Sequence, residues 1–172
     1  MRVSTRTTYG IRALVELAIY HSEEPISVGF LAQRLGVSKY YLENLMLILK
    51  RNGLVIPSRG PRGGYSLARH PAHISLPEVF IALEGSEALA YCVNCPDSCP
   101  HSNYCASRDL LRLLGGAMFG ALSSITLKTL AEWQMLKLKG SLFSHSHQYL
   151  AEEACWSRLW LAVGRHHSPR FP

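Results

Sequence analysis

The fold is decided by one stretch of the chain, residues 27–67, which reads SVGFLAQRLGVSKYYLENLMLILKRNGLVIPSRGPRGGYSL. Its apolar residues follow a helical period over 27–35 and again over 39–52, which predicts two short helices. Between these helices, Gly36 can end the first and Ser38 can cap the second. Two helices joined by so tight a turn predict a helix-turn-helix.

The second of these helices has an apolar face and a polar face. The expected inward stripe is Leu42, Leu45, Met46 and Leu49, with Ile48 beside it. In a helix-turn-helix, residues at the N-terminus of the second helix contact base edges in the major groove, so polar side chains are needed there. The candidate DNA contacts on this helix are Ser38, Lys39, Tyr40, Tyr41, Glu43 and Asn44. A capped surface helix without a nucleic-acid role is the alternative.

A β-hairpin is predicted directly after this helix. Residues 54–56 and 65–67 have the composition of strands, and the turn between them is rich in glycine and arginine. The glycines would let the backbone approach a phosphate chain, and the arginines could neutralise phosphates or enter a minor groove. The candidate contacts on this wing are Arg59, Gly60, Arg62, Gly63 and Gly64.

The charge distribution favours a nucleic-acid-binding head. Residues 1–75 carry ten Lys and Arg against four Glu, whereas residues 76–172 carry eight basic and eight acidic residues. No run of about 18 apolar residues and no secretion signal is present, so we expect a cytoplasmic protein. Outside the cysteine-rich stretch described below, no acid–base pair, phosphate loop or nucleophile constellation appears, which argues against an enzyme.

The sequence resembles the Rrf2 family of bacterial winged-helix repressors, which includes IscR, NsrR, RirA and CymR. The resemblance extends over roughly residues 1–133 and is carried by LAQRLGVS at 31–38, GLV at 53–55 and RGPRGGYSLA at 59–68. It implies a mainly α protein with a small β wing, in which a winged helix-turn-helix domain is followed by a long dimerisation helix. A homodimer of this kind would bind double-stranded DNA at a palindromic site.

Four segments are expected along the chain. They are a winged helix-turn-helix domain at 1–85, a cysteine-rich loop at 86–105, a dimerisation helix at 106–133 and a C-terminal extension of unknown role at 134–172. The domain should also contain helices at 5–21 and 76–85, and the extension a helix at 149–163. The long helix is apolar enough to need a partner, and the same helix of a second subunit is the simplest one, although a core helix within one subunit remains possible.

The stretch CVNCPDSCPHSNYC, residues 92–105, holds four of the five cysteines. These are Cys92, Cys95, Cys99 and Cys105, and thiols so close together in a loop suggest a soft-metal site. The spacing leaves open a zinc site, a disulfide or thiol switch, and an iron–sulfur cluster. Without a secretion signal the thiols should be reduced, and Cys155 lies apart from the group.

The family resemblance favours the iron–sulfur cluster, of four or two irons. Sensing members of the family carry three cysteines between the wing domain and the dimerisation helix. Cys92, Cys99 and Cys105 match that triad in this sequence.

The fourth ligand departs from the family pattern. Some relatives use a histidine three residues after the last cysteine, where this chain has Arg108, and others use an aspartate in the first helix, where this chain has Thr8. Cys95 is the obvious substitute, and it could equally be a spare thiol. Within the loop, His101 and Asp97 are the weaker alternatives.

The sequence therefore predicts a cluster-dependent transcriptional regulator, with repression as its expected action and iron, redox state or nitric oxide as its signal. The alternative is a cluster-free winged-helix regulator that is controlled through a protein partner or by thiol oxidation. The two predict opposite iron contents for the purified protein.

Overall fold

The computed structural model describes residues 3–21, 24–60, 63–86 and 89–140. Within these ranges the expected mainly α architecture with a small β wing is confirmed. The helices are α1 (Thr5–Ile19), α2 (Val28–Leu35), α3 (Lys39–Arg51), α4 (Leu76–Glu84), α5 (Tyr91–Asn94), α6 (Ala106–Ser123) and α7 (Leu127–Leu138). The strands are β1 (Val55–Ser58) and β2 (Gly64–Leu67). No helix in the described ranges is long and apolar enough to cross a membrane.

Helices α2 and α3 form the predicted helix-turn-helix, and their ends are set by local capping. The Ser27 hydroxyl accepts a hydrogen bond from the Phe30 amide at 3.2 Å, and the Ser38 hydroxyl accepts one from the Tyr41 amide at 3.2 Å. Gly36 ends α2 in the left-handed conformation, with φ of 67°, which favours glycine over residues that have a Cβ. These caps explain why the boundaries could be predicted from sequence.

Strands β1 and β2 form the predicted wing as an antiparallel pair. Val55 lies opposite Leu67, and Ser58 lies opposite Gly64. Ile26, which precedes α2, adds a short bridge to Tyr65 through two backbone hydrogen bonds of 3.0 and 2.8 Å. The wing is therefore attached to the start of the helix-turn-helix as well as to the end of α3.

The core of the head lies between α1, α3, α4 and the inner side of the wing. Leu42, Leu45, Met46 and Leu49 are buried, as the predicted inward stripe of α3 requires, and Ile48 is half-buried. An ion pair joins α1 to α2, because Arg34 Nε lies 2.7 Å from a carboxylate oxygen of Glu16, which is only 6% exposed. A buried carboxylate is stable only when it is paired in this way.

The prediction of one continuous helix over 106–133 is wrong, because the structure has two helices there, α6 and α7. Residues 124–126 leave the helical path and pair with the chain that precedes α4. The amide of Leu76 donates to the Ile125 carbonyl at 3.1 Å, and the amide of Leu127 donates to the Ile74 carbonyl at 2.9 Å. The Thr126 hydroxyl then accepts from the Thr129 amide and caps the new helix. Leu127 is buried in the core as a result.

The chain divides into two compact units. The first spans residues 1–135, and the second begins at Leu136, of which the structure describes residues 136–140. The helix predicted at 149–163 and Cys155 lie outside the described residues.

Candidate functional site

The exposed face of α3 contains most of the predicted recognition residues. Ser38, Lys39, Tyr40, Glu43 and Asn44 are exposed, and Tyr40 is 76% exposed. The Lys39 ammonium lies 3.7 Å from the Glu43 carboxylate, one helical turn away. Such a face offers a carboxylate that can accept from cytosine and an amide that can pair with adenine.

Tyr41 differs from the other predicted recognition residues, because it is half-buried. Its ring meets the ring of Tyr9 on α1 edge to face, with centroids 6.1 Å apart. Tyr41 thus connects the start of α3 to α1 and presents only part of its side chain outward.

Leu47 is a residue of this face that the sequence reasoning missed. It lies on α3 three residues after Asn44 and is 42% exposed, although its neighbours in sequence are apolar and partly or fully buried. Its position outside the inward stripe is the signal that could have identified it. An exposed apolar side chain here could contact a thymine methyl group.

The wing tip places its basic and glycine residues at the surface. Arg59 and Gly60 are exposed, Gly63 and Gly64 are half-buried, and Arg62 lies outside the described residues. Gly60 has φ of 115°, and its carbonyl accepts from the Gly63 amide at 2.9 Å, which closes the tip. The tip therefore brings backbone close to the surface beside an arginine, as phosphate contacts require.

The four loop cysteines occupy the ends of short turns. Cys92 lies within α5, Cys95 follows α5, Cys99 follows a 3₁₀ turn at Pro96–Ser98, and Cys105 precedes α6. All four are reduced and half-buried. Among the described residues, no three His, Cys, Asp or Glu side chains are gathered into a group that could hold a metal ion. The four thiols therefore lie in one loop, but they do not converge on a single metal-binding point in this structure.

The donor chemistry of the loop fits an iron–sulfur cluster better than its present geometry does. Four thiols on a run of short turns form the ligand set that iron in such clusters prefers. His101 is engaged with the Tyr104 hydroxyl, while Asp97 is exposed. Binding would therefore require the loop to close around the group.

Arg108 connects separate parts of the cysteine loop through hydrogen bonds. The sequence shows only that Arg108 stands where some relatives have a histidine ligand, and it does not predict this role. Its Nε donates to the Cys92 carbonyl at 2.9 Å, and its second nitrogen donates to the Ser102 carbonyl at 3.4 Å. Because Arg108 lies in the first turn of α6, it links that helix to both halves of the loop.

Tyr91 and Cys95 interact at the start of the loop. The neighbouring Cys95 raises the pKa of the exposed Tyr91 hydroxyl, first through a hydrogen bond and then through an electrostatic interaction.

Glu84 connects the end of α4, just before the loop, to the start of α1. Its carboxylate accepts from the Thr7 hydroxyl and from the Ser4 amide, the latter at 3.2 Å. These hydrogen bonds, the one from Thr7 first, lower the pKa of Glu84. The loop therefore begins at a point that is fixed to the DNA-binding head.

Helix α6 packs against α4 and α5 but leaves an apolar face uncovered. Gly115 is its only buried residue in the described structure, and Leu110, Leu113 and Leu114 are exposed, Leu113 by 61%. Leu113 and Leu114 each lie about one turn from Leu110, on the same side of the helix. A stripe of this kind needs a covering partner.

Comparisons with known proteins agree with this arrangement. The family model Rrf2, described as an iron-dependent transcriptional regulator, matches residues 3–133. The chain is 36% identical over 130 residues to protein rrf2 of Nitratidesulfovibrio vulgaris, covering 76% of this chain and 87% of that protein. It is 34% identical over 134 residues to the HTH-type transcriptional regulator IscR of Photorhabdus laumondii, covering 78% of this chain and 81% of that protein.

Two solved structures are similar over most of their length. CymR, the global cysteine regulator of B. subtilis, has a TM-score of 0.66 and 32% identity, covering 77% of this chain and 98% of that one. IscR of T. potens has a TM-score of 0.64 and 30% identity, covering 87% of this chain and 96% of that one.

Proposed function

Because the chain belongs to the Rrf2 family of transcriptional regulators, we propose that it is a homodimeric repressor controlled by an iron–sulfur cluster on its cysteine loop. It is a winged-helix DNA-binding regulator and not an enzyme. The cluster, the dimer and the palindromic site go beyond that family assignment. The observation that carries them is the place of the four thiols, between the DNA-binding head and a helix with an uncovered apolar face.

The ligands we propose are Cys92, Cys99 and Cys105, with Cys95 as the fourth. The description of the family as iron-dependent supports an iron group, and thiolates are the usual ligands of iron–sulfur clusters. A bound cluster would supply a centre that responds to iron, oxidants or nitric oxide. The residues of the chain then convert a change in loop shape into a change in DNA affinity.

Arg108 and Glu84 are the residues that would transmit this change. Arg108 ties the Cys92 carbonyl to the first turn of α6, so a movement of the loop pulls on that helix. Glu84 fixes the other end of the loop to α1. Movement is thereby directed to α6, and a coupling free energy of about 1–3 kcal/mol would change DNA affinity by roughly 5- to 150-fold.

A second copy of the chain is the partner we propose for α6. The exposed face combines Leu110, Leu113 and Leu114 with smaller residues further along the helix, and a Cβ built on Gly116 or Gly120 meets no atom within 4 Å. Two copies packed on this face would form a symmetric dimer. Their α3 helices could then contact successive major grooves of a palindromic site.

Anaerobic purification is expected to yield a brown protein with a visible absorption band and with bound iron and sulfide. Cys99→Ala should lose the colour and the iron, because a thiolate ligand is removed. Cys95→Ala tests whether Cys95 is the fourth ligand. Loss of the cluster in this variant would identify Cys95 as a ligand, and retention of the cluster would identify it as a spare thiol. The measurements are the absorption spectrum and the iron and sulfide content.

Cys155→Ala is the matched control, because this cysteine lies outside the loop in sequence and should leave the iron content unchanged. A colourless wild-type protein that holds stoichiometric zinc would contradict the cluster and leave the DNA-binding assignment intact.

A cluster-free regulator is the second candidate, and the similarity to CymR is the observation that keeps it open. The chain is as similar to CymR, a global cysteine regulator, as it is to IscR of T. potens, with TM-scores of 0.66 and 0.64. In that case the regulator would be controlled through a protein partner or by oxidation of its thiols. Iron-free wild-type protein that binds its DNA site and responds to an oxidant would support this candidate.

Glu43→Ala is expected to relax sequence discrimination, because it removes the one carboxylate on the exposed N-terminal face of α3. Loss of a specific base contact typically costs about 1–3 kcal/mol, or roughly 5- to 150-fold in affinity for the preferred site. The site would first be selected from a random duplex pool and tested for two-fold symmetry. Fluorescence anisotropy would then compare this site with a random duplex.

Glu132→Ala on α7 is the control for this variant. Glu132 forms the same kind of exposed pair with Lys128, at 3.6 Å, that Glu43 forms with Lys39. It should leave discrimination unchanged. Equal binding of wild-type protein to selected and random duplexes would refute specific recognition.

A further inference from the structure

A chain of ring contacts joins an arginine of α1 to the recognition helix. The Arg12 guanidinium carbon lies over the Tyr9 ring, 5.3 Å from its centroid. The Tyr9 ring in turn meets Tyr41, at the start of α3, with centroids 6.1 Å apart. Arg12 is thus held within about 12 Å of a residue at the DNA-facing end of α3.

Arg12 is an exposed cation without an acidic partner in the part of the chain that the structure describes. Two other arginines of the head have acidic partners, since Arg34 pairs with Glu16 and Arg69 pairs with Glu78 at 3.2 Å. The packing of Arg12 on an aromatic face leaves its in-plane N–H groups open for a ligand. A held guanidinium with open donors suits an oxyanion, and phosphate is one of the oxyanions that arginine binds in a bidentate manner.

The distance from α3 indicates which phosphate is within reach. The major groove of B-DNA is about 12 Å wide, so a cation within about 12 Å of a residue at the start of α3 can reach the phosphate backbone that borders the groove. Stacking on Tyr9 also reduces the conformational freedom that Arg12 would lose on binding.

We propose that Arg12 binds a backbone phosphate beside the major groove occupied by α3, and that Tyr9 and Tyr41 hold it there. The contact rests on the DNA-binding function described above and adds to it a third element, α1, beside α3 and the wing. Phosphate contacts fix the register of a protein on the duplex without carrying sequence information. Arg12 would therefore contribute to affinity and docking geometry rather than to base choice.

The test is the salt dependence of DNA binding by the full-length protein. Each phosphate contact contributes about 0.9 to the slope of log K against log salt concentration. Arg12→Gln should reduce the slope by about 0.9 for each protomer and weaken binding to selected and random duplexes by the same factor. Arg12→Lys should keep most of the slope, because the charge remains.

Lys128→Gln is the charge-matched control, because this lysine is exposed on α7 and paired with Glu132. It should leave the slope unchanged, and an unaltered thermal midpoint for Arg12→Gln shows that the fold is intact. A wild-type slope in Arg12→Gln would overturn the inference, as would a loss confined to the selected duplex, which indicates a base contact. Failure of the wild-type protein to bind DNA in a salt-dependent way would instead refute the proposed function.

Discussion

Leu49→Ala is expected to lower the free energy of unfolding by about 2–5 kcal/mol, the usual cost of removing a buried leucine side chain. Leu49 is 0% exposed and lies on α3, where it packs into the core formed with α1 and α4. The remaining cavity cannot close easily, because its walls are the helices that hold the recognition face. Urea unfolding followed by circular dichroism measures the change.

Leu47→Ala is the matched control for this variant. It is the same substitution two residues away on the same helix, at a position that is 42% exposed. Its effect should remain within about 0.5 kcal/mol, as for most surface positions. Similar losses for the two variants would contradict the arrangement of α3 in the core.

Gly64→Ala is expected to displace the wing and to weaken DNA binding. A Cβ on Gly64 would lie 2.2 Å from the carbonyl oxygen of Ile26 and 2.8 Å from the amide nitrogen of Ser27. Backbone atoms cannot move aside as the end of a side chain can, so the Ile26–Tyr65 bridge must open. Overpacking together with the loss of two hydrogen bonds should cost about 2–4 kcal/mol.

The wing variant would be measured by thermal unfolding and by binding to the selected duplex. Gly29→Ala is the control, because a Cβ at this position in α2 would meet only the Ser27 hydroxyl, at 4.0 Å. It should keep the stability of the wild type or raise it slightly, since alanine favours a helix. Normal stability and DNA binding in Gly64→Ala would show that the wing is not held by this close contact.

The helix-turn-helix and wing could be predicted from sequence because their signals are local. Ser27 and Ser38 each cap the helix that begins at the next residue, α2 and α3 respectively. Gly36 supplies the left-handed conformation in the turn between these helices. Such signals act over three or four residues, the range at which capping and turn formation operate. Tertiary contacts did not override them.

The break between α6 and α7 could not be predicted in the same way. The apolar period runs through 124–126, and only a distant segment, 74–76, supplies the backbone partners that make the break favourable. Thr126 was a weak local sign of a new cap. A hydrogen-bonding partner 50 residues away is not visible in a periodicity.

The sequence by itself determined the head, the wing and the gathering of four thiols in one loop, because caps, turns and cysteine spacing are properties of neighbouring residues. Only the tertiary structure decided that Arg108 contacts the loop, that Glu84 fixes its start to α1, and that Tyr9 of α1 meets Tyr41 of α3. Each of these pairs depends on how separate segments pack against one another. Such long-range contacts are formed by the packing of segments that are distant in sequence, so a local sequence pattern does not predict them.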